Sequence, residues 1–310
     1  MDCQSNQICV PAFNARAPRV VTGTQDSLAQ LYPAPMALSG AIVAVVSRNT
    51  CGIALSDAQR LSHFPASPFV CLSWYKNADF GLVERNDHGT EWRRFDTDVL
   101  ISGSQSGPAA SWSRGSGRGG MIYFPISTAT ELFQIDVSMI QDRAICARRI
   151  LGSTWFEMLD ALVDSDDDQV TLEIIERYLE PRWRPSHLRH STIDILRGAG
   201  RQWVDGLARQ ANEWQRSRGI RQVERRIRAF SGRSLREWQS LVGTEQAFFT
   251  ARDRQESIKS LDWAAFALET GFADQAHLSR AVKRITGFPP AEFARRFVED
   301  ESFWIYRLWV

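Results

Sequence analysis

The chain has 310 residues, of which 44% are apolar and 24% are charged, a composition typical of a folded globular protein with room for two domains. This composition excludes a largely disordered protein. The longest apolar run, AIVAVV at 41–46, is too short to span a membrane, and the first residues lack the basic and apolar parts of a secretory signal. We therefore expect no membrane segment and a cytoplasmic location. The five cysteines include no CxxC pair, which argues against a disulfide framework and a cysteine-based zinc site.

Charge is distributed unevenly along the chain. Residues 1–180 carry a net charge of −7 and residues 181–310 carry +8, which together give the +1 of the whole chain. A basic half joined to an acidic half indicates that one end meets a polyanion, which in the cytosol is most often nucleic acid. Such an imbalance is also common between domains that bind no polyanion, so charge alone leaves both interpretations open.

Residues 1–138 predict an antiparallel β barrel or sandwich. Short apolar runs such as FVCLSWY and GGMIYFPI alternate with clusters of Gly, Pro and Ser, which is the pattern of short strands joined by turns. The glycine-rich segment 113–120 is superficially similar to a phosphate-binding loop, but no GK[ST] sequence follows it and a strand comes next. We therefore interpret this segment as a hairpin loop.

From residue 139 the apolar spacing changes to three and four residues, which predicts helices attached to the β region as far as residue 180. We interpret the acidic stretch DSDDD at 164–168 as a solvated loop rather than as a pair of catalytic carboxylates. The segment 181–190 contains prolines and reverses the sign of the charge, so we place a linker there. The predicted fold class is therefore α+β, with the β region followed by an all-α region at 191–300.

An internal repeat carries the functional argument. Residues 221–238 align without gaps on residues 276–293, at an offset of 55 positions, and both copies space their apolar residues as on the buried face of a helix. The agreement in core face, helix end and following aromatic residue favours a structural repeat over chance. The identical pairs are Arg225 with Arg280, Gly232 with Gly287, and Glu237 with Glu292.

The second copy predicts a helix-turn-helix. WAAFALET predicts a short helix that Gly271 stops, after which Phe272 fills the core. Asp274 is placed to cap the next helix, which we expect to run to Gly287, and Pro290 suits the first turn of the helix that follows. Two such units in tandem, with basic outer faces, predict a DNA-binding domain.

Helical geometry assigns the side chains of each repeat to faces. With the apolar residues inward, the outward and flanking positions carry residue types that read base edges or bind phosphate, such as Arg for guanine and Gln for adenine. A single exposed Arg is most often only a solvated charge, but three on one helical face weaken that interpretation. These positions are Arg221, Glu224, Arg225 and Arg228 in the first copy, and Gln275, Ala276, Ser279, Arg280 and Lys283 in the second.

Both copies resemble a known DNA-binding domain. GFADQAHLSRAVKRITGFPPAEF at 271–293 and GIRQVERRIRAFSGRSLREW at 219–238 are similar to the second helix-turn-helix and the first recognition helix of the AraC/XylS family of transcriptional regulators. The resemblance implies two recognition helices that enter successive major-groove segments on one face of double-stranded DNA. It places base and phosphate contacts on Arg221, Gln222, Glu224 and Arg225, and on Gln275, Ala276, Ser279 and Arg280.

The first copy departs from the family pattern more than the second. Gly219 stands where the family usually has a Ser that caps the first recognition helix, and the preceding stretch 207–218 lacks the family's Gly turn. Ala276 is too short to hydrogen-bond a base, and Glu224 repels phosphate unless it accepts from a cytosine amino group. We therefore expect the first unit to contribute more to backbone binding than to sequence reading.

The β region resembles the cupin-like sensor barrels of the same family, through its strand composition and the GGMIYFPIS segment followed by helices. Cupin enzymes bind metal through a clustered HxH, whereas His63 and His88 stand apart in sequence, so we expect neither a metal nor a cofactor. We interpret the HxxH pair His187 and His190 as solvated or phosphate-binding. No GxSxG or other nucleophile signature is present, which argues against an enzyme.

These observations predict a sequence-specific transcriptional regulator that binds double-stranded DNA, with an N-terminal region that senses an effector or dimerises. RNA polymerase, a small-molecule effector and a second copy of the chain are open as further partners. Two alternatives stay open: an enzyme that acts on a small molecule through the β region, with an accessory helical region, and a module that acts through protein partners.

Residues 301–310, ESFWIYRLWV, form an aromatic tail. Seven of its last eight residues are apolar or aromatic. Leaving them in water is costly, because burial of one such side chain stabilises a fold by about 1.5–3 kcal/mol. We expect the tail to pack on the helical region that precedes it, with docking on the β region and dimerisation as the alternatives.

Overall fold

The protein combines antiparallel sheets in its N-terminal region with helices in its C-terminal region, which confirms the predicted fold class. None of the helices in the described part of the chain is long and apolar enough to cross a membrane. The computed structural model describes residues 10–20, 28–87, 89–183, 192–216, 219–231, 233–240, 242–243, 263–269 and 272–308.

The strands form two antiparallel sheets. Their bounds are β1 (Ala29–Pro33), β2 (Ala44–Asn49), β3 (Leu61–Phe64), β4 (Val70–Lys76), β5 (Phe80–Asn86), β6 (Gly89–Arg94), β7 (Val99–Ser102), β8 (Ala109–Ser113), β9 (Arg118–Phe124) and β10 (Ala144–Cys146). Sheet I has six strands in the order β1-β2-β9-β4-β7-β10, and sheet II has four in the order β3-β8-β5-β6. Where the chain passes from sheet I to sheet II, Tyr75 of β4 stacks on Phe80 of β5 with ring centroids 4.2 Å apart.

Alternation along the strands gives sheet I two apolar faces. In β9, Ile122 and Phe124 belong to one hydrophobic cluster, whereas Met121 and Tyr123 belong to another. Helices cover the first face and bury residues such as Met158 against it. The helices that follow the strands are α1 (Ile126–Phe133), α2 (Ala147–Ile150), α3 (Phe156–Asp164) and α4 (Asp168–Leu179).

The glycine-rich segment 113–120 is not a hairpin loop, so that interpretation is wrong. The segment joins β8 in sheet II to β9 in sheet I, and these two strands pair with other partners. Gly120 lies in β9 beneath the indole of Trp74, where an added Cβ would come within 2.2 Å of the ring. Part of the glycine run therefore serves a close approach between strand and aromatic ring.

The acidic stretch at 164–168 is only partly solvated, and its interpretation as a loop is wrong at both ends, since Asp164 ends α3. Asp168 begins α4, and its carboxylate pairs with the buried Arg118 of β9 at 2.6 Å. The hydroxyls of Tyr32 and Ser47 donate to the same carboxylate at 2.7 and 2.6 Å. Partial burial raises the pKa of Asp168, but these hydrogen bonds and the guanidinium lower it by more. The network ties α4 to sheet I.

We expect the substitution Arg118→Met to destabilise the protein by about 3 kcal/mol, because it leaves Asp168 without its cation in a partly buried position. The free energy of unfolding is measured by urea denaturation. Arg93→Met is the matched control, since Arg93 pairs with Glu84 on the surface, with side chains 54% and 49% exposed. We expect the control to lose less than about 1 kcal/mol. Equal losses in the two variants would contradict a structural role for the buried pair.

The C-terminal helices share small apolar cores. Their bounds are α5 (Thr192–Gln215), α6 (Ile220–Ser231), α7 (235–240), α8 (Trp263–Glu269), α9 (Gln275–Thr286), α10 (Pro290–Glu299) and α11 (Trp304–Leu308). Trp238 of α7 is completely buried between α5 and α6, and its indole N–H donates to the Ser231 hydroxyl at 2.9 Å. Val223 and Ile227 of α6 pack in the same cluster.

The aromatic tail packs on α10, as expected, and also docks on the β region, which was the stated alternative. Trp304 donates its indole N–H to Ser62 of β3 at 2.8 Å. Tyr306 contacts Phe293 of α10, with ring centroids 5.0 Å apart. The tail thus covers the second apolar face of sheet I, around Met121. Trp309 and Val310 lie outside the described residues.

Charged residues are buried beside the tail. Arg296 of α10 is 2% exposed, pairs with Asp300 at 2.9 Å and donates to the carbonyls of Asn14 and Ala15 at 2.6 and 3.1 Å. Partial burial raises the pKa of Glu292, but hydrogen bonds from the arginines at 296 and 295 outweigh this and lower it to about 2. The buried guanidinium therefore holds the N-terminal segment 10–20 against α10.

His63 of β3 lies among the aromatic rings of Phe13, Phe288 and Phe303 and is 1% exposed. Burial, together with a smaller contribution from the charge of Arg296, lowers its pKa to about 3. The histidine is consequently neutral in the folded protein at pH values well above 3.

We expect His63→Leu to reduce the sensitivity of the fold to acid. Below a pH of about 6.5 this histidine is protonated in the unfolded chain but not in the folded one. The free energy of unfolding of the wild type therefore falls by up to about 1.4 kcal/mol per pH unit as the pH falls toward 3. The leucine variant lacks this contribution. The measurement is the free energy of unfolding between pH 6.5 and about 4. Identical pH slopes for variant and wild type would contradict the buried neutral state.

Candidate nucleic-acid interface

Helix α6 presents a charged outer face opposite its apolar stripe. It follows Gly219, whose carbonyl accepts from the backbone N–H groups of Gln222 and Val223 at 2.9 and 3.2 Å. Val223 and Ile227 are each 2% exposed, as the sequence predicts for the inward face. The exposed candidate residues of this helix are Arg221, Gln222, Glu224, Arg225 and Arg228.

Helix α9 begins and ends as predicted. The Asp274 carboxylate accepts from the backbone N–H of His277 at 2.6 Å, which caps the helix at its start. Gly287 ends it in the left-handed conformation, with φ of 85° and its N–H bonded to the Lys283 carbonyl at 2.8 Å. Pro290 then opens α10. Gly271 and Gly232, the predicted turn and helix-end glycines, lie outside the described residues.

The outer face of α9 carries fewer charged candidate residues than that of α6. Leu278 and Ile285 are buried, and Val282 is half-buried, which places the predicted apolar stripe inward. Ser279 is half-buried and so less accessible than its neighbours. The exposed candidate residues of this helix are Gln275, Ala276, Arg280 and Lys283.

The two candidate helices are joined by a shared core. Ile285 near the end of α9 belongs to the same hydrophobic cluster as Val223 and Ile227 of α6. Arg284 of α9 also donates to the Ser240 hydroxyl of α7 at 2.8 Å. The rest of the buried side of α9 packs in a separate cluster with α8 and Phe272. In both helices the charged candidate residues lie on the exposed side.

A capping box starts α7, and sequence reasoning missed it. The Glu237 carboxylate accepts from the backbone N–H of Ser234 at 2.8 Å, and the Glu237 amide donates to the Ser234 hydroxyl at 3.3 Å. The hydrogen bonds from Ser234 lower the pKa of Glu237. The spacing S-x-x-E at 234–237 is the signal that identifies this cap, so the sequence did contain the information.

Two further arginines support the charged faces and were not among the candidates. The guanidinium of Arg226 lies over the ring of Trp214 in α5, 4.3 Å from its centroid. Arg284 makes the contact with α7 given above. No simple spacing marks either residue, because their partners lie on other helices.

The carboxyl ends of both candidate helices contact the β region. The Ser104 hydroxyl donates to the carbonyl of Ser231, at the end of α6, at 3.4 Å. The amide of Ala66 donates to the carbonyl of Ile285, near the end of α9, at 2.9 Å. The β region therefore supports each helix directly.

The histidines form no metal site in the part of the chain that the structure describes. No group of three or more His, Cys, Asp and Glu side chains within the described ranges is arranged to hold a metal ion. His63 is surrounded by aromatic rings. His88, His187 and His190 lie outside those ranges.

Comparison with known proteins gives one weak likeness. No protein-family model matches the chain, and no curated protein matches it. Among solved structures, the chain is similar to apo ToxT from Vibrio cholerae strain SCE256, with a TM-score of 0.38 and 10% identity over 87% of this chain and 98% of that one. A second ToxT structure from Vibrio cholerae gives a TM-score of 0.37 and 8% identity over the same shares. A likeness at this level is too weak to establish a shared function.

We expect Asp274→Ala to destabilise the protein by about 1 kcal/mol, because the first turn of α9 loses its cap. Asp274→Ser is the matched control, since a serine hydroxyl caps about as well as a carboxylate. Urea denaturation measures both variants. If alanine and serine cost the same, capping by the side chain at 274 does not stabilise α9.

Proposed function

We propose that this protein is a sequence-specific DNA-binding transcriptional regulator of the AraC type, with an N-terminal region that senses an effector or dimerises. The observation that carries the proposal is that two helices of an internal repeat, linked through Ile285 of the second, bury their apolar sides and expose basic faces to solvent. Basic helices held on a common core are the usual means of entering the major groove.

Helix α6 carries three exposed arginines on one face. Arg221, Arg225 and Arg228 follow one another at spacings of four and three residues and are exposed, so one face of α6 carries three guanidinium groups. Guanidinium groups bind phosphate oxygens and the major-groove edge of guanine. The Glu224 carboxylate beside them repels any phosphate close to it, although it can accept a hydrogen bond from a cytosine amino group. This combination supports a role mainly in backbone binding.

The second helix offers a more varied surface. Gln275 and Ala276 stand in the first turn of α9, where recognition helices reach base edges. Glutamine suits adenine, and an alanine methyl group suits the methyl group of thymine. Arg280 lies further along the exposed face and Lys283 near its end, where they can bind guanine or phosphate. This surface supports the reading of sequence.

We propose the following division of roles along the chain. Residues 1–138 and the attached helices at 139–180 form the sensor, 181–190 is the linker, and 191–300 binds DNA. The contacts of Ser104 with Ser231 and of Ala66 with Ile285 support communication between the parts. RNA polymerase, an effector and a second copy of the chain are the further partners we propose, in the cytoplasm.

We expect Arg225→Ala and Arg280→Ala each to weaken specific DNA binding by about 1–3 kcal/mol if the side chain contacts a base. The full-length protein is titrated against the DNA upstream of its own gene and against random DNA, by gel shift. Arg93→Ala, an exposed arginine of β6, is the control and should leave binding unchanged. An equal loss of affinity for the specific and the random DNA would mean that the arginine contacts the DNA backbone rather than a base. No loss at either position would rule out the proposed face.

We also expect affinity to fall steeply with salt. If the five basic candidates Arg221, Arg225, Arg228, Arg280 and Lys283 each neutralise a phosphate, log K falls against log salt with a slope of about −4.5. Arg228→Ala should reduce the slope by about one. An affinity that is flat between low and physiological salt would contradict a phosphate-dominated interface.

A further inference from the structure

Strand β6 is a free edge of sheet II. It ends the strand order β3-β8-β5-β6, and its residues are exposed or half-buried throughout. The backbone N–H of Phe95 donates to the carbonyl of Phe80 at 2.8 Å, and these residues continue the register that pairs β6 with β5. In an antiparallel ladder, residues bonded to the neighbouring strand alternate with residues that are not. Thr90, Trp92 and Arg94 therefore direct their backbone groups away from β5, toward the edge.

These outward backbone groups have no hydrogen-bond partner in the part of the chain that the structure describes. The N-terminal segment 10–20 contacts β6 only at its side chains. The Thr90 hydroxyl accepts from the N–H of Phe13 at 3.4 Å, and Phe13 packs in the apolar cluster that includes Trp92. The segment thus lies against one face of β6 and leaves its edge unpaired. An unpaired edge pairs readily with another extended strand.

The other face of β6 carries charges that are poorly matched within the sheet. Glu91 stands directly opposite Glu84 of β5, so two carboxylates lie side by side. Arg93 donates to Glu84 from Nε and Nη2, at 3.1 and 2.9 Å. Among the described residues, the Glu91 carboxylate accepts only from the side-chain amide of Asn86, at 3.0 Å, and pairs with no cation. Glu91 is therefore a carboxylate beside a like charge, without a cation from its own chain.

One register pairs β6 with a second copy of itself and satisfies both features. When the two Trp92 residues stand opposite each other in an antiparallel pair, Thr90 of one copy also meets Arg94 of the other in a hydrogen-bonded pair. The same register places Glu91 opposite Arg93 of the second copy, twice, in the non-hydrogen-bonded pairs whose side chains lie closest. Moving the centre of the pair to Glu91 or to Arg93 would instead set like charges opposite each other.

We propose that β6 is the interface at which two copies of this chain associate, joining their four-stranded sheets edge to edge. Both copies contribute the same strand, so every contact occurs twice about a two-fold axis. The competing explanation is that the charges on β6 protect the edge from nonspecific pairing. The proposal rests on the second copy named above as a partner, but its test involves no DNA.

The expected contact is weak. Two six-residue strands bury much less than the roughly 1,600 Å² of a stable complex. We therefore expect association in the range of tens of micromolar and a monomer at the nanomolar concentrations of a gel shift or in a dilute urea titration. The substitutions of Arg93 that serve as controls in those experiments consequently act on the monomer.

The test measures association of the full-length protein by sedimentation equilibrium, from low to several hundred micromolar. Glu91→Arg and Arg93→Glu each set like charges opposite each other in both pairs, so we expect each to weaken association by about tenfold or more. An equimolar mixture of the two variants restores opposite charges in both pairs, and we expect it to associate about as tightly as the wild type. Arg149→Glu is the matched control, since this side chain of α2 is 71% exposed and lies outside β6, and it should leave association unchanged.

Hydrogen exchange locates the contact within the strand. As the wild-type concentration rises through the association range, the amides of Thr90, Trp92 and Arg94 should exchange several-fold more slowly, because they gain hydrogen bonds. The amides of Glu91 and Arg93 already face β5 and should change less. Circular dichroism checks that both variants fold, and this measurement on the wild type decides if one of them does not.

The possible results separate the two explanations. Association that is lost in each variant and recovered in their mixture, with slower exchange at the three outward amides, supports β6 as the interface. Mixing does not relieve local destabilisation of β5 and β6, so a mixture that associates no better than its parts overturns the proposal. A wild type that stays monomeric at the highest concentration also overturns it, as does association that neither variant weakens. Because none of these readouts involves DNA, a failure here is distinct from a failure in the gel shift.

Discussion

Burial of the aromatic tail against the second face of sheet I is the interaction on which the arrangement of this protein depends. Helices of the N-terminal region cover the first face, but the face that carries Val46, Met121 and Tyr123 is covered by the tail and by the phenylalanines of the helical region. Without them this face would stand exposed, at a cost of about 25 cal/mol for every Å². The hydrophobic effect therefore holds the last helices of the chain on its first sheet.

Burying the tail also buries charge, which limits how it can dock. Arg48 with Glu301 and Arg296 with Asp300 are pairs that lie almost entirely out of water. Such pairs contribute little to stability, since desolvation offsets their attraction, but a partner that is missing or displaced is expensive. The pairs consequently favour one arrangement of the tail and the N-terminal segment over others, while hydrophobic contact supplies most of the stabilisation.

The same packing sets the conditions for the proposed DNA interface. The two candidate helices share a core through Ile285, and the β region contacts the carboxyl end of each. The charged candidate residues lie on the exposed outer faces of these helices, outside the apolar clusters. Tyr306 of the tail packs on Phe293 of α10, so the tail and the second candidate helix are linked through packed side chains rather than through direct contact.

The sequence by itself determined the local features of this protein. Short apolar runs between turn residues predicted the antiparallel sheets, and Asp274 and Gly287 predicted the bounds of α9, because caps and glycine turns depend on neighbouring residues. Only the tertiary structure decided which distant surfaces meet: Asp168 binds Arg118, and Trp304 lies between the sheets. Such contacts depend on long-range packing and on the balance of desolvation against pairing, which no local pattern encodes.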